Sequence, residues 1–99
     1  MYMKIHDVGG ERILAACDKE HIGKVLKEGK LVIDVKSYSS FYKGEEVDSN
    51  DIVRELEECT SANLVGEKAV ACAISQGIAK KSDVKMVSGV PVLMLFVMG

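Results

Sequence analysis

The chain has 99 residues, 47% of them hydrophobic, which is long enough for one compact domain and too apolar for a disordered segment. Its net charge of −2 argues against attraction to DNA, and its three cysteines, without any CxxC pair, argue against a disulfide framework or a zinc ribbon. We therefore predict a single domain over residues 1–99, located in the reducing cytoplasm and without a membrane span.

A β-hairpin is predicted at the start of the chain. Apolar and polar residues alternate over residues 1–6, which is the period of a strand. Gly9 and Gly10 can adopt positive φ, so the turn is placed there, and Ile13 to Cys17 form the returning strand.

A short helix, from about Lys19 to Glu28, is predicted next. Asp18 is a suitable N-cap, and Gly29 provides a left-handed stop. The stretch "KLVIDVK", residues 30–36, then alternates as a strand should.

Two helices are predicted in the middle of the chain, after a polar and aromatic loop over residues 37–47 that ends in a short strand. The first helix runs from Ser49 to Cys59, is capped by Asp48 or Ser49, and carries an apolar stripe at helical spacing. The second runs from Ala62 to Gln76 and is rich in alanine, which allows close packing.

Two strands are predicted at the end, in "DVKMVSG" and "VPVLMLFVMG". The second does not alternate, so both of its faces are expected to be covered, by its own core or by a partner, and Val92 to Met98 should be an interior strand or pair across a homodimer. The predicted fold class is α+β, with two layers: a mixed, mostly antiparallel sheet with two or three helices packed on it.

Catalysis by a cysteine is one hypothesis. Cys17 stands at a predicted strand end before a helix, where the pKa of a thiol is lowered, and Asp18 and His21 follow within one turn. A buried structural cysteine is the alternative. The two histidines are not spaced as a helical metal pair, so we predict no metal site and no cofactor.

A binding surface is the other hypothesis. Its candidate residues are Lys24, Tyr42, Asn63, Glu67 and Lys68. The stretch "VGEKAV" lacks the GxxxxGK[ST] pattern of a phosphate loop, so the cluster around Asn63 is interpreted first as a junction between two helices and second as part of a surface site.

Four segments together resemble a known family. "CDKEHIGKVLKEGKLVIDV", "FYKGEEV", "ANLVGEKAV" and "GVP" occur in the order of an uncharacterised archaeal family, the domain of unknown function 424. The resemblance covers nearly the whole chain and implies a stand-alone archaeal domain without an assigned activity. A polar pair that includes histidine often follows Gly-Val-Pro in the family, whereas Val92 and Leu93 stand here. The family positions correspond here to Asp18, Gly23, Lys24, Gly29, Phe41, Tyr42, Gly44, Glu45, Asn63, Gly66, Glu67 and Pro91.

We therefore expect a non-catalytic binding module of archaeal housekeeping, connected with translation or RNA, that contacts a protein or RNA partner. The alternatives are a small thiol enzyme that uses Cys17 with a histidine, and a small-ligand site lined by Asn63, Glu67 and Lys24.

Overall fold

The structure is a computed structural model and describes residues 1–36 and 39–96. Within these residues, eight strands and three helices follow one another, with short 3₁₀ turns at Lys19–His21 and Lys81–Asp83. In chain order they are β1 (Tyr2–Val8), β2 (Glu11–Cys17), β3 (Val25–Glu28), β4 (Leu31–Asp34), α1 (Ser39–Tyr42), β5 (Glu45–Glu46), α2 (Ser49–Glu58), β6 (Ser61–Val65), α3 (Glu67–Ser75), β7 (Lys85–Val87) and β8 (Val90–Phe96).

Six of the strands form one sheet in the order β5-β1-β2-β6-β8-β7, and β3 pairs with β4 in a separate small sheet. Strands β2 and β6 run parallel, whereas the other neighbours run antiparallel. The predicted class, α+β with a mixed and mostly antiparallel sheet, is confirmed. The predicted hairpin is also correct, with Gly9 and Gly10 at positive φ between β1 and β2.

Helices α2 and α3 cover one face of the large sheet, which we call the helix face. Its core is made of aliphatic side chains from the central strands and both helices: Leu14, Ala16, Ile52, Leu56, Leu64, Ala69, Ala73 and Leu93. Helix α2 forms as predicted, because Asp48 and Asp51 close a capping box and Ile52 and Leu56 are buried at helical spacing.

The opposite face, which we call the small-sheet face, is partly covered by β3, β4 and α1, so the small sheet adds a partial layer to the two that were predicted. Its core is formed by Ala15, Cys17, Leu26, Ile33, Val35, Tyr42, Val65 and Val92. Because both faces of β2 and β6 are buried in this way, their sequences are short apolar runs rather than alternating ones.

Residues 19–28 do not form the predicted helix. A single 3₁₀ turn at Lys19–His21 is followed by β3, which pairs with β4 across a turn at Gly29 and Lys30. Gly29 has a φ of +61°, which serves a hairpin turn here rather than a helix stop. The spacing of Ile22, Val25 and Leu26 fits both structures, and pairing with the adjacent strand decides between them.

The predicted helix from Ala62 to Gln76 is also wrong in its first part. Residues 61–65 form β6, the central strand between β2 and β8, and α3 begins only at Glu67. A run of small apolar residues suits a buried strand as well as a buried helix, and two neighbouring strands provide the backbone partners here.

The last strand, β8, follows β6 in the sheet, and β7 pairs with its first half only, up to Val92. The predicted interior strand is therefore confirmed at Val92, whereas residues 93–96 pair with β6 alone among the described strands. Val97 and Met98 lie outside the described residues. The described residues do not cover both faces of β8, since Met94 is 59% exposed and Phe96 is 87% exposed. Cover by a partner, the other alternative, stays a prediction. Among the described residues, no helix has the length and hydropathy needed to cross a membrane.

Candidate functional site

The carboxyl ends of β2 and β6 meet at one edge of the sheet, because these two strands are parallel neighbours. Asp18 follows β2 and Gly66 follows β6, and the two residues are in direct contact there. The Asp18 carboxylate accepts hydrogen bonds from the backbone N–H groups of Lys68 and Ala69, both at 2.9 Å. Asp18 therefore caps α3, which begins far away in sequence, and not the local helix that was predicted to follow it.

Gly66 is required by this arrangement, which we call the strand-end junction (Asp18, Gly66, Lys68 and Ala69). Its φ is +109°, and a Cβ atom at this position would lie 2.4 Å from Cγ of Asp18. Asp18 is only 1% exposed, so its carboxylate has no space into which to move. Two parts of the chain thus interlock at the N-terminus of α3, where the helix dipole also favours a negative charge.

Charged side chains surround this junction. Hydrogen bonding to its own backbone amide lowers the pKa of the Glu20 carboxyl, and the charges of His21, Lys68 and Lys24 act in the same direction. The side-chain ligand atoms of Asp18, Glu20 and His21 lie within 4.8 Å of one another. Because both Asp18 oxygens already accept amide hydrogen bonds, we assign this group first to the capping of α3.

His21 is the least satisfied member of this group. Its side chain is 12% exposed, its Nε2 lies 4.0 Å from Oε1 of Glu20, and its Nδ1 is buried without a hydrogen-bond partner among the described residues. The sequence analysis expected His21 near Asp18, and the structure brings them together.

Cys17 is fully buried on the small-sheet face. Burial, together with the negative charges of Asp18 and Glu20, raises the pKa of its thiol to about 12. The Sγ–H group donates to the backbone oxygen of Asp18 at 3.3 Å. The helix that was expected to activate this thiol does not form after Cys17, so the local cause of a low pKa is absent.

We expect Cys17 to resist alkylation by iodoacetamide at pH 8 in the native protein, because the thiol is buried and only about one molecule in ten thousand would be ionised at a pKa near 12. Mass spectrometry of the peptides would measure the labelling. A Met86→Cys variant supplies an exposed thiol as a control. Rapid native labelling of Cys17 would contradict this expectation and would favour the thiol-enzyme alternative.

A second feature lies on the small-sheet face, between the large sheet and the segment β4–α1. It is an open cleft of about 510 Å³, and we call it the cleft. Its walls come from β4 and α1 and its floor from β6, and it is lined by Val32, Ile33, Asp34, Phe41, Tyr42 and Asn63. Tyr42 is nearly buried, and this burial raises the pKa of its phenol to about 12, so the hydroxyl is neutral near pH 7.

Asn63 occupies the floor of the cleft. It lies on β6 between Ala15 of β2 and Met94 of β8, and it is half-buried. No described residue forms a hydrogen bond with its carboxamide. The predicted junction of two helices at Asn63 is therefore wrong, because residues 61–65 are a strand and the side chain faces a cleft instead.

Two contacts from β1 hold α1 over the sheet, and the sequence analysis did not assign them to a site. The His6 ring stacks on Phe41 with centroids 4.3 Å apart, and His6 Nε2 lies 2.9 Å from the backbone oxygen of Phe41. Lys4 Nζ donates to the backbone oxygen of Ser40 at 2.8 Å. The alternation of apolar and polar residues along β1 places Lys4 and His6 on one face of the strand. This pattern was the available sequence signal of a common role for the two side chains.

The structure divides the predicted binding residues among three places. Tyr42 and Asn63 share the cleft, and Lys24 and Lys68 act on Glu20 near the strand-end junction. Glu67 lies on neither surface and borders a separate groove between α3 and β7. The cleft also contains Val32, Asp34 and Phe41, of which only Phe41 was noted among the family positions.

The fold and the cleft define a small α+β domain with an open surface site, and comparison with known proteins identifies its family. Residues 6–98 match the family described as "Protein of unknown function (DUF424)", so the chain belongs to this family, as the sequence resemblance indicated. A search of curated proteins found no match.

A solved structure has the same fold. It is described as the crystal structure of an uncharacterized conserved protein from Methanopyrus kandleri, with a TM-score of 0.80 and 23% sequence identity. The similarity covers 98% of this chain and 90% of the other. At this level of identity the likeness shows the fold and carries no activity.

Proposed function

We propose that this protein is a non-catalytic binding module, and that the cleft holds a short extended segment of a partner protein. The observation that supports the proposal is the Asn63 carboxamide, which lies on the cleft floor without a hydrogen-bond partner among the described residues. The amide is half-buried and shares the cleft with the apolar side chains of Val32 and Phe41, and a bound chain would provide it with polar partners.

The chemistry of the cleft matches a peptide. The carboxamide of Asn63 has one acceptor oxygen and an NH₂ donor, so it can accept from the N–H and donate to the C=O of an extended chain. Val32 is 52% exposed at the wall and Phe41 lies beside it, so an apolar side chain of the segment can be buried there.

The charge of the cleft favours protein over RNA. Among the six residues that line it there is one carboxylate, Asp34, and no lysine or arginine. Binding of an RNA backbone depends on cationic side chains that neutralise phosphates. The structural neighbour comes from an archaeon. The proposal places the module in archaeal housekeeping, in the cytoplasm and connected with processes such as translation.

The geometry favours this proposal over the two alternatives. The raised pKa of the buried Cys17 thiol disfavours a cysteine-dependent enzyme. A small-ligand site formed by Asn63, Glu67 and Lys24 is disfavoured because Asn63 and Glu67 border different cavities and Lys24 acts on Glu20 instead.

We expect Asn63→Leu to weaken partner binding about fivefold or more, since the loss of hydrogen bonds to a buried peptide costs about 1–3 kcal/mol. The tagged protein would be used to recover proteins and RNA from archaeal cells, and the affinity of the recovered partner would be measured by titration calorimetry. Asn50→Leu is the matched control, because Asn50 is exposed on α2 and outside the cleft.

Two results would contradict the proposal. Recovery of RNA without any protein would show that the partner is a nucleic acid and not a peptide. Equal binding by wild type and Asn63→Leu, with Asn50→Leu also unchanged, would show that the partner does not use the cleft.

A further inference from the structure

The outer edge of β8 is only partly paired. Strand β6 pairs with β8 over Val92–Phe96, whereas β7 pairs with it only over Val90–Val92, where Lys85 and Val92 form the last pair. The second half of β8 therefore has a neighbouring strand on one side only, within the part of the chain that the structure describes.

The direction of the backbone groups follows from one hydrogen bond. Gly66 N–H donates to the backbone oxygen of Pro91 at 2.9 Å, so the polar backbone atoms of Pro91 face β6. Direction alternates along an antiparallel strand, so Leu93 and Leu95 also face β6. The N–H and C=O groups of Met94 and Phe96 then point outward, where no described strand accepts them.

This edge lacks the protection that the other edges have. Sheet edges are commonly blunted by charge, proline or shortness. The edge strand β5 has two residues, both glutamates, and β7 has three and begins with Lys85. The free half of β8, residues 93–96, has no charge and no proline, and Met94 and Phe96 are mostly exposed on it.

We propose that two copies of this chain form a symmetric dimer by antiparallel pairing of the second halves of their β8 strands. In an antiparallel sheet, opposite residues point to the same face, so Met94 can pair with Met94 or with Phe96 of the second copy. Pairing of Met94 with Phe96 gives two hydrogen-bonded pairs, each with two hydrogen bonds, and places Leu95 on the two-fold axis. Pairing of Met94 with Met94 of the second copy gives only one hydrogen-bonded pair, because Val92 is already paired with Lys85.

The side chains support the first register. On the small-sheet face, Phe96 of the second copy stands opposite Met94, which allows a favourable sulfur–aromatic contact. Met94 also lines a cavity of about 270 Å³, so this register brings the aromatic ring of the second copy beside that cavity. That cavity is lined by Leu31, Ile33, Asp83, Lys85, Val92 and Met94. On the helix face, Leu95 meets Leu95 of the second copy.

Such a dimer goes beyond the proposed binding function and does not depend on it. The two six-stranded sheets become continuous, and a two-fold axis perpendicular to the sheet keeps both small-sheet faces on the same side. Both clefts would then open in one direction, so a partner with two suitable segments would bind with increased avidity.

Sedimentation equilibrium of the purified full chain tests the association. We expect the wild type to be a dimer at micromolar concentrations. Phe96→Lys should raise the dissociation constant at least about tenfold, because it places two lysine charges, one from each copy, against the apolar side chains of the interface. Val8→Lys is the control, since Val8 is 63% exposed but lies on β1, and it should leave the dimer intact. A monomeric wild type, or a dimer unaffected by Phe96→Lys, would overturn the proposal.

Cysteine cross-linking tests the register. In Leu95→Cys the two thiols face each other across the axis in a non-hydrogen-bonded pair, whose Cα separation of about 4.5 Å a disulfide can span. We expect mild oxidation to yield a covalent dimer of this variant. Wild type should not cross-link, because its three cysteines are buried, and Met86→Cys on β7 should not either. A Leu95→Cys dimer that forms in solution but does not cross-link would overturn the proposed pairing.

Discussion

Replacement of Gly66 by alanine is expected to destabilise the protein by about 3 kcal/mol or more, which is enough to unfold many small domains. Its new Cβ would lie 2.4 Å from Cγ of Asp18, and the backbone φ of +109° is strained for any residue with a Cβ. Asp18 cannot give way, because its carboxylate is buried and bound to two amides of α3.

Gly77→Ala is the matched control for this substitution. Gly77 also has a positive φ, +71°, but no atom lies within 4 Å of the position where its Cβ would be. Gly77→Ala therefore measures backbone strain alone, and we expect it to lower the free energy of unfolding by about 1 kcal/mol. Urea denaturation of both variants gives the comparison. Equal losses of stability would show that contact with Asp18 does not determine the choice of glycine at position 66.

Asp18→Ala is expected to be the next most damaging substitution, with a loss of about 2–4 kcal/mol. It removes the cap of α3 and leaves the N–H groups of Lys68 and Ala69 without partners, one of them buried. Thermal or urea unfolding measures the loss, and faster hydrogen exchange at these two amides would locate it at the start of α3.

Asp48→Ala provides the comparison for that variant. Asp48 caps α2 through the amide of Asp51, but it is exposed, so water can replace the lost hydrogen bond. We expect a cost of about 1 kcal/mol. If Asp18→Ala costs no more than Asp48→Ala, the strand-end junction does not contribute the stability assigned to it here.

Local patterns predicted most of the elements whose partners are close in sequence. The β1–β2 hairpin follows from alternation and two glycines, and α2 follows from its cap and apolar stripe. The pairing of β7 with β8 also involves neighbouring segments. In these regions the local preference and the final structure agree.

One error is local, since residues 25–28 were assigned to a helix although their partner β4 follows after two residues. The other errors occur where distant segments determine the structure. The stretch around Asn63 has no local feature that separates a buried strand from a buried helix. It forms a strand because its backbone pairs with β2 on one side and β8 on the other. Asp18 is a genuine N-cap, as its residue type indicated, but the helix that it caps starts at Glu67. No local pattern could have assigned that partner.

The candidate site was predicted in part for the same reason. Tyr42 and Asn63 were chosen separately as polar or aromatic residues outside the core pattern, and the structure brings them together in the cleft. Val32 and Asp34 were missed because their strand had been treated only as part of the core. Tyr38, which also belonged to the aromatic loop, lies outside the described residues.

The cap of α3 also bears on the order in which the chain can fold. The hydrogen bonds of the Asp18 carboxylate connect residues 50 and 51 positions apart in sequence. A loop of that length must close before they can form, and closure costs entropy that local contacts do not return. A nine-residue helix such as α3 is marginal in isolation. The start of α3 is therefore completed only when β2 and β6 have come together, so a contact that depends on closing a long loop fixes this helix in place.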